Sequence, residues 1–178
     1  MPLLTVGHGA LDRAGLASLL TGRRVALVVD IRRFPGSRRN EDVKREALEE
    51  WLPQEGVAYR WEPRLGGRRH LRKGDPSPDT WWKVDAFRAY ASYTRTEDFA
   101  AALAEVAEEA RGEARVAVMC SEAVWWRCHR RLVADVATLA LGLPVHHLMH
   151  DGEVRRHEPS AGARVSDGVV VWDGDPEA

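Results

Sequence analysis

The chain lacks any apolar run long enough to cross a bilayer, so its 178 residues do not read as a membrane protein and no membrane partner is expected. Cysteine is scarce. Only Cys120 and Cys128 occur, at a spacing that fits neither a disulfide framework nor a Cys-x-x-Cys metal site. A reducing compartment is implied. Met1 to Gly9 carry no basic leader and pass straight into a glycine-bracketed apolar segment, so they do not read as a signal peptide, and the expected location is the cytoplasm. An excess of one charge is missing too: 26 Lys and Arg stand against 27 Asp and Glu, for a net −1 at pH 7. That balance argues against a dedicated nonspecific nucleic-acid binder, and no helix-turn-helix, zinc-finger or ribonucleoprotein signature appears. Repeats, heptads and low-complexity tracts are also absent.

What is present describes a globular chain, with 44% hydrophobic and 30% charged residues. The length suits a single domain over 1–178, able to bury a core without disulfides or structural metals. Short apolar runs alternate with amphipathic stretches, the pattern of a three-layer α/β fold: a mostly parallel sheet of about five strands with helices on both faces. Strands are expected at Leu3 to Val6, Val25 to Asp30, Val57 to Trp61, Arg115 to Met119 and Val145 to Met149. Helices are expected from Asp12 to Gly22, after Asn40 until Pro53, around Trp82, Phe87 and Tyr90, from Thr96 to Gly112, and through Leu132 to Leu143. Within the tail 153–178, Val169 to Trp172 is a candidate edge strand.

Charge is segregated although it sums to nearly zero. Arg60 to Lys73 holds six basic residues against one acid, and Arg32 to Arg39 holds four arginines and none. Acids crowd the helices instead, Glu41 to Glu55 and Glu97 to Glu113. Solvated surface charge is the plain reading of either basic run. Two such runs, both in loops, point to a shared anion site.

The runs TVGHG (Thr5 to Gly9), VDIRRFPGSRRN (Val29 to Asn40), RLGG (Arg64 to Gly67), MCSE (Met119 to Glu122), CHRR (Cys128 to Arg131), VHHL and HDG (ending at Gly152) closely resemble the family called domain of unknown function 488. The likeness spans about 5–152. It implies a compact α/β domain with these motifs gathered on one side of the sheet; the family name supplies no reaction. The Trp125-Trp126 pair departs from the less bulky loop expected there.

Parallel sheets bind ligands beyond the carboxyl ends of their strands, and the unusual residues fall there. The candidate ligand-binding residues are His8, Asp30, Arg32, Arg33, Ser37, Arg38, Arg64, Gly66, Gly67, Arg68 and Arg130. Arg38 and Ser37 precede an expected helix N-terminus, which favours phosphate. Asp30 either orients an arginine, acts as a base or holds a metal, or simply pairs with Arg32. His8 faces ligand or core. His146, His147, His150 and His157 invite a metal reading, but strand alternation separates His146 from His147, so no metal and no cofactor is expected. Trp81, Trp82, Trp125 and Trp126 can stack on bases or pack in the core.

Cys120, Glu122 and His129 form the candidate catalytic set. Cys120 ends a strand ahead of a loop and helix, the placement in which rhodanese-like sulfurtransferases and cysteine phosphatases hold a thiolate. The loop to Arg127 is one residue too long for the phosphatase signature. Cys128, four residues before Leu132, reads as core. The expected function is an anion-binding, cysteine-dependent enzyme acting on a phosphorylated small molecule or nucleotide. The alternative is a noncatalytic module that binds nucleic acid or a phosphorylated ligand.

Overall fold

Largely apolar runs make the central strands, since a strand covered on both faces needs apolar side chains on both. They are β1 (Leu3–Gly7), β2 (Leu27–Asp30) and β4 (Val116–Cys120); β3 (Ala58–Trp61), a partly exposed edge strand with Arg60, and β5 (Val145–Leu148), with His146 and His147, flank them. A computed structural model describes residues 1–72 and 74–174. Lys73 of the basic run and the end of the tail, 175–178, lie outside the described residues. The five strands are parallel in the order β3-β2-β4-β1-β5, and β6 (Val154–Arg156) adds antiparallel to the β5 edge. This is the α/β fold expected, with one more strand than expected. Among the described residues, no helix is long and apolar enough to cross a membrane.

Alternation along the strands sorts the core into two layers. From β4, Ala117 and Met119 face α1 (Arg13–Gly22) and α2 (Arg45–Trp51), joining Leu16, Leu20, Leu48 and Trp51. Val116, Val118 and Cys120 face α3 (Asp85–Tyr93), α4 (Glu97–Arg111) and α5 (Arg130–Leu139), joining Tyr90, Phe99, Leu103, Leu132 and Val133. Each large side chain buried this way contributes about 1.5–3 kcal/mol. The caps follow the sequence in part. The Asp12 carboxylate accepts from the Gly15 amide at 2.8 Å and the Thr96 hydroxyl from the Phe99 amide at 3.4 Å. Gly22 ends α1 as expected, and Arg23 follows as its C-cap.

Two expectations need correction. Asn40 does not cap a full helix: it caps a single 3-10 turn, Glu41–Val43, and α2 starts only after Lys44. Val169–Trp172 does form a strand, β8, but it pairs with β7 (Ala163–Ser166) in a separate antiparallel hairpin. The β5 edge is already occupied by β6, and the hairpin is held elsewhere. The fully buried Trp172 donates from its amide to Asp79 at 3.1 Å and from its indole to Asp135 at 2.8 Å.

Connections from β1 and β2 cross one face, through α1 and α2, while the connection from β4 crosses the other, through α5. The loop after β4 therefore parts from its neighbours. That divergence opens a crevice at its carboxyl end.

Candidate active site

Strand alternation turns Cys120 towards α5, and the segment entering α5 carries Cys128 back to it. The two sulfurs stand 2.6 Å apart. Both thiols are free, buried, and at the base of a cleft of about 280 Å³. Arg33, Phe34, Gly67, Arg68, Phe87, Tyr90, Arg127 and His129 form its walls.

The two thiols differ in their surroundings. Burial, with Cys128 beside it, pushes the Cys120 thiol well above the ordinary thiol range. Burial also opposes ionisation of Cys128, but the hydrogen bond from Cys120, then His129 and Arg130, hold its thiol well below that range. The backbone amide of Arg130 points at the Cys128 sulfur from 3.5 Å, at the first turn of α5, where unpaired amides favour negative charge. Of the expected catalytic set, Cys120 is thus better suited to remain the protonated partner. The residue read as core has the thiolate environment.

His129 completes the group. Its Nε2 lies 3.2 Å from the Ile31 carbonyl, which can only accept, so Nε2 carries the hydrogen and Nδ1 offers a lone pair to Cys128 Sγ at 3.5 Å. Tyr90 packs edge-on against the imidazole at 5.1 Å and donates its hydroxyl to the Leu65 carbonyl at 2.5 Å. Gly66 and Gly67 are needed for close approach rather than for turning. A Cβ on Gly67 would stand 3.0 Å from His129 Nδ1, and one on Gly66 2.7 Å from the Arg33 amide nitrogen. Glu122 is exposed, and its carboxylate accepts from the Val124 amide at 3.3 Å. Its backbone carbonyl, not its side chain, faces the site by accepting from Arg130.

The expected anion residues do not all converge. Arg33 and Arg68 flank the exposed ring of Phe34, at 5.3 and 5.9 Å from its centre, on one wall of the cleft. Arg68 holds a left-handed backbone, φ 57°, with its carbonyl taken by Arg33 at 2.8 Å. Strain of this kind in a non-glycine residue costs about 1–3 kcal/mol and clusters at ligand sites. The side chains of Arg68 and Arg127 make no hydrogen bond or ion pair among the described residues. Arg32 also borders the cleft, but its guanidinium is committed. It grips Asp30 through Nε at 2.8 Å and Nη2 at 2.5 Å, and Tyr59 donates to the same carboxylate at 2.7 Å. Asp30 is fully buried, so it takes the structural reading. His8 lies beside the pair, its Nε2 3.3 Å from Arg32 Nη1; burial first, then Arg32, lower its pKa and keep it neutral.

Three expected residues lie elsewhere. Arg64 pairs with Glu62 and with Glu105 of α4, each at 2.7 Å, and Arg60 pairs with Glu109. Much of the second basic run thus answers the acidic face of α4. Ser37 accepts from the Asn40 amide at 3.0 Å, and with Arg38 it borders a different depression near Gly9 and Asp12. The N-caps of α1 and of the 3-10 turn, Asp12 and Asn40, line that depression, away from the two thiols.

Arg130 is almost fully buried and joins the cleft to a polar chain beneath it. Its Nη2 donates to the Glu122 carbonyl, and its Nη1 lies 3.4 Å from the Thr5 hydroxyl. Thr5 then meets His147 Nδ1 at 2.7 Å, His147 Nε2 meets His157 Nδ1 at 2.9 Å, and His157 Nε2 meets Asp135 at 2.8 Å. With both imidazoles neutral, one set of tautomers satisfies every link: each group donates towards Asp135 and accepts from the Arg130 side. Burial, then the neighbouring His157 and Arg130, lower the His147 pKa to about 2, so it is neutral. Trp125 stacks flat on His147 with ring centres 4.0 Å apart, which accounts for one bulky residue of the loop. Trp81 and Trp82 pack with Arg131, leaving Trp126 the most exposed of the four.

Cys120, Cys128 and His129 have their ligand atoms within 4.8 Å of one another, the one such group among the described residues able to hold a metal. The spacing fits it poorly. Two sulfurs on one tetrahedral zinc stand about 3.8 Å apart, given zinc–sulfur bonds of about 2.3 Å. The two sulfurs, 2.6 Å apart, stand closer than that.

Fold and site together define an α/β protein with a paired-thiol cleft at the carboxyl end of a parallel sheet. The chain belongs to the family described as Domain of unknown function DUF488, whose model matches residues 13–137. No curated protein and no solved structure matches it. The matched segment contains both cysteines and the cleft arginines, while β1 and β5 flank it and complete the sheet.

Proposed function

We propose that this protein is a cysteine-dependent enzyme acting on an anionic substrate, a phosphorylated small molecule or nucleotide, with Cys128 as nucleophile. One observation carries the reading: the Cys128 sulfur, surrounded by groups that favour its thiolate, lies at the base of a concave cleft walled by Arg33, Arg68 and Arg127. His129 takes the thiol proton through Nδ1, and the Cys120 thiol and Arg130 amide donate to the thiolate. The arginines balance the charge of the phosphate, and Phe34 offers a flat face to a planar group. Attack by Cys128 on the phosphoryl centre breaks the ester bond and leaves a thiophosphoryl intermediate. His129 returns its proton to the leaving oxygen, and water then releases phosphate.

The second reading, a noncatalytic module for nucleic acid or a phosphorylated ligand, is favoured less. Its arginines should spread over a flat face, whereas Arg33, Arg68 and Arg127 border the same concave cleft as the two thiols. The test is iodoacetamide labelling of each cysteine against pH, with and without phosphate, followed by a turnover screen over phosphomonoesters and nucleotides. Cys128 should label first and below the ordinary thiol range near 8.5, and phosphate should slow it. Cys128→Ser should abolish turnover yet keep the rise in Tm that a ligand produces. Full turnover in that variant, or labelling only at alkaline pH, returns the site to the binding module.

A further inference from the structure

A hydrolytic thiolate needs one cysteine, yet this chain places its only two in contact. They come from different elements, the end of β4 and the entry to α5, and both border the same cleft. A second sulfur touching the nucleophile is costly if its role is to fill space, because it exposes the site to oxidative closure. The 2.6 Å contact, the imidazole 3.5 Å from Cys128, and the arginine walls together make a dithiol exchange site for an anionic ligand.

We propose that Cys128 and Cys120 act as attacking and resolving thiols towards an anionic low-molecular-weight disulfide, which the cleft reduces. The proposal rests on the reading of Cys128 as the reactive thiolate. The Cys128 thiolate attacks one sulfur of R–S–S–R′, the S–S bond breaks, and R′S⁻ leaves with the proton held by His129. Cys128 now carries RS in a mixed disulfide. Cys120 gives its proton to the departing RS⁻ as its own sulfur attacks Cys128 Sγ, so RSH leaves and a Cys120–Cys128 disulfide forms. The balance is closed: the protein dithiol supplies two electrons and two protons, and the substrate becomes two thiols. A second, external dithiol restores the pair by the reverse exchange.

The asymmetry of the site suits the order of these steps. Cys128 lies beside the base and the Arg130 amide, whereas Cys120, 2% exposed against 6% for Cys128, has neither within hydrogen-bond reach. Neither the arginines nor Phe34 stand between the two sulfurs. Arg33, Arg68 and Arg127 give the cleft its preference for an anionic disulfide over a neutral one.

The experiment treats the reduced, full-length protein with glutathione disulfide or with neutral hydroxyethyl disulfide and follows intact mass and free thiols. The wild type should lose both thiols with no retained adduct, at least tenfold faster with the glutathione probe. Cys120→Ser and Cys120→Ala should both stop at a mixed disulfide on Cys128. A wild type that keeps a stable adduct on Cys128, or serine and alanine variants that clear the adduct as the wild type does, overturns the resolving role. Equal rates with the two probes overturn the anionic substrate class. If Cys128 still labels early with iodoacetamide and turns over a phosphate ester while no Cys120–Cys128 bond forms, this proposal alone fails. If Cys128 is inert to both reagents, both fail.

Discussion

The thiol cleft and the chain from Thr5 to Asp135 lie on the same face of the sheet and share Arg130, yet they handle buried polarity in opposite ways. In the chain Thr5, His147, His157 and Asp135 each have partners, Trp125 stacks on His147 in the middle, and Trp172 donates to Asp135 at the end. In the cleft the sulfurs are buried, but the guanidinium groups of Arg68 and Arg127 border it without a hydrogen-bond or ion-pair partner among the described residues. A saturated network rigidifies, because loss of any member strands the others. An unsaturated one leaves charge for a ligand. Arg130 ties the two by holding the Glu122 carbonyl on the cleft side and Thr5 on the other.

The sharpest way to break the comparison is Asp135→Ala. It strands His157, the Ser160 amide and the Trp172 indole at once, all now bonded to that carboxylate. We expect a loss of about 3–5 kcal/mol, the cost of breaking a buried charged network, read as a lower denaturation midpoint with unchanged m. A loss below about 1 kcal/mol would show that the chain does not carry the stability assigned to it.

Acid should affect the chain next. His147 stays neutral in the fold down to a pKa of about 2, while the unfolded chain protonates it near 6.5. Below pH 6.5 the unfolded state therefore binds the extra proton, and stability falls as pH falls towards 2, by about 1.4 kcal/mol per unit from this group. Above 6.5 the contribution is complete and flat. Urea titrations at pH 7, 6 and 5 should show this slope in the wild type and a slope shallower by one proton in His147→Gln. The same slope in both would assign the acid sensitivity elsewhere.

The smallest expected effect separates arginines of one sequence type by their partners. Arg68→Gln should weaken phosphate protection of Cys128 by about tenfold, the loss of roughly 1.4 kcal/mol for one charge-assisted contact. Its stability should move by less than about 0.5 kcal/mol. Arg64→Gln, which removes half-exposed pairs to Glu62 and Glu105, should leave protection unchanged. Equal effects in the two variants would erase the distinction between a free and a committed arginine.

Much of the architecture was legible because period and punctuation are local. The runs ending at Asp30 and Met119 read as strands, the second continuing one residue further to Cys120, and Asp12 and Thr96 cap the helices they precede. The hairpin of β7 and β8 had a signal too, Asp167-Gly168, which takes the two positive φ angles of a tight turn. The placement of β8 was not legible, since its anchors, Asp79 and Asp135, are distant in sequence. Cys128 was read as core from its spacing to Leu132. Its burial agrees, but its charge environment comes from Cys120 and His129, and only the fold brings Cys120 there.

By itself the sequence determined the α/β class, the family, the run of strands and helices, and which residue types crowd the strand ends. Those depend on side-chain period and nearest neighbours. Tertiary structure alone decided which arginines are free, which cysteine gathers hydrogen-bond donors, and that Thr5, His147, His157 and Asp135 form one chain. Each of these turns on the partner a polar group meets across more than a hundred residues or across the sheet, and a pattern of residue types carries no record of that pairing.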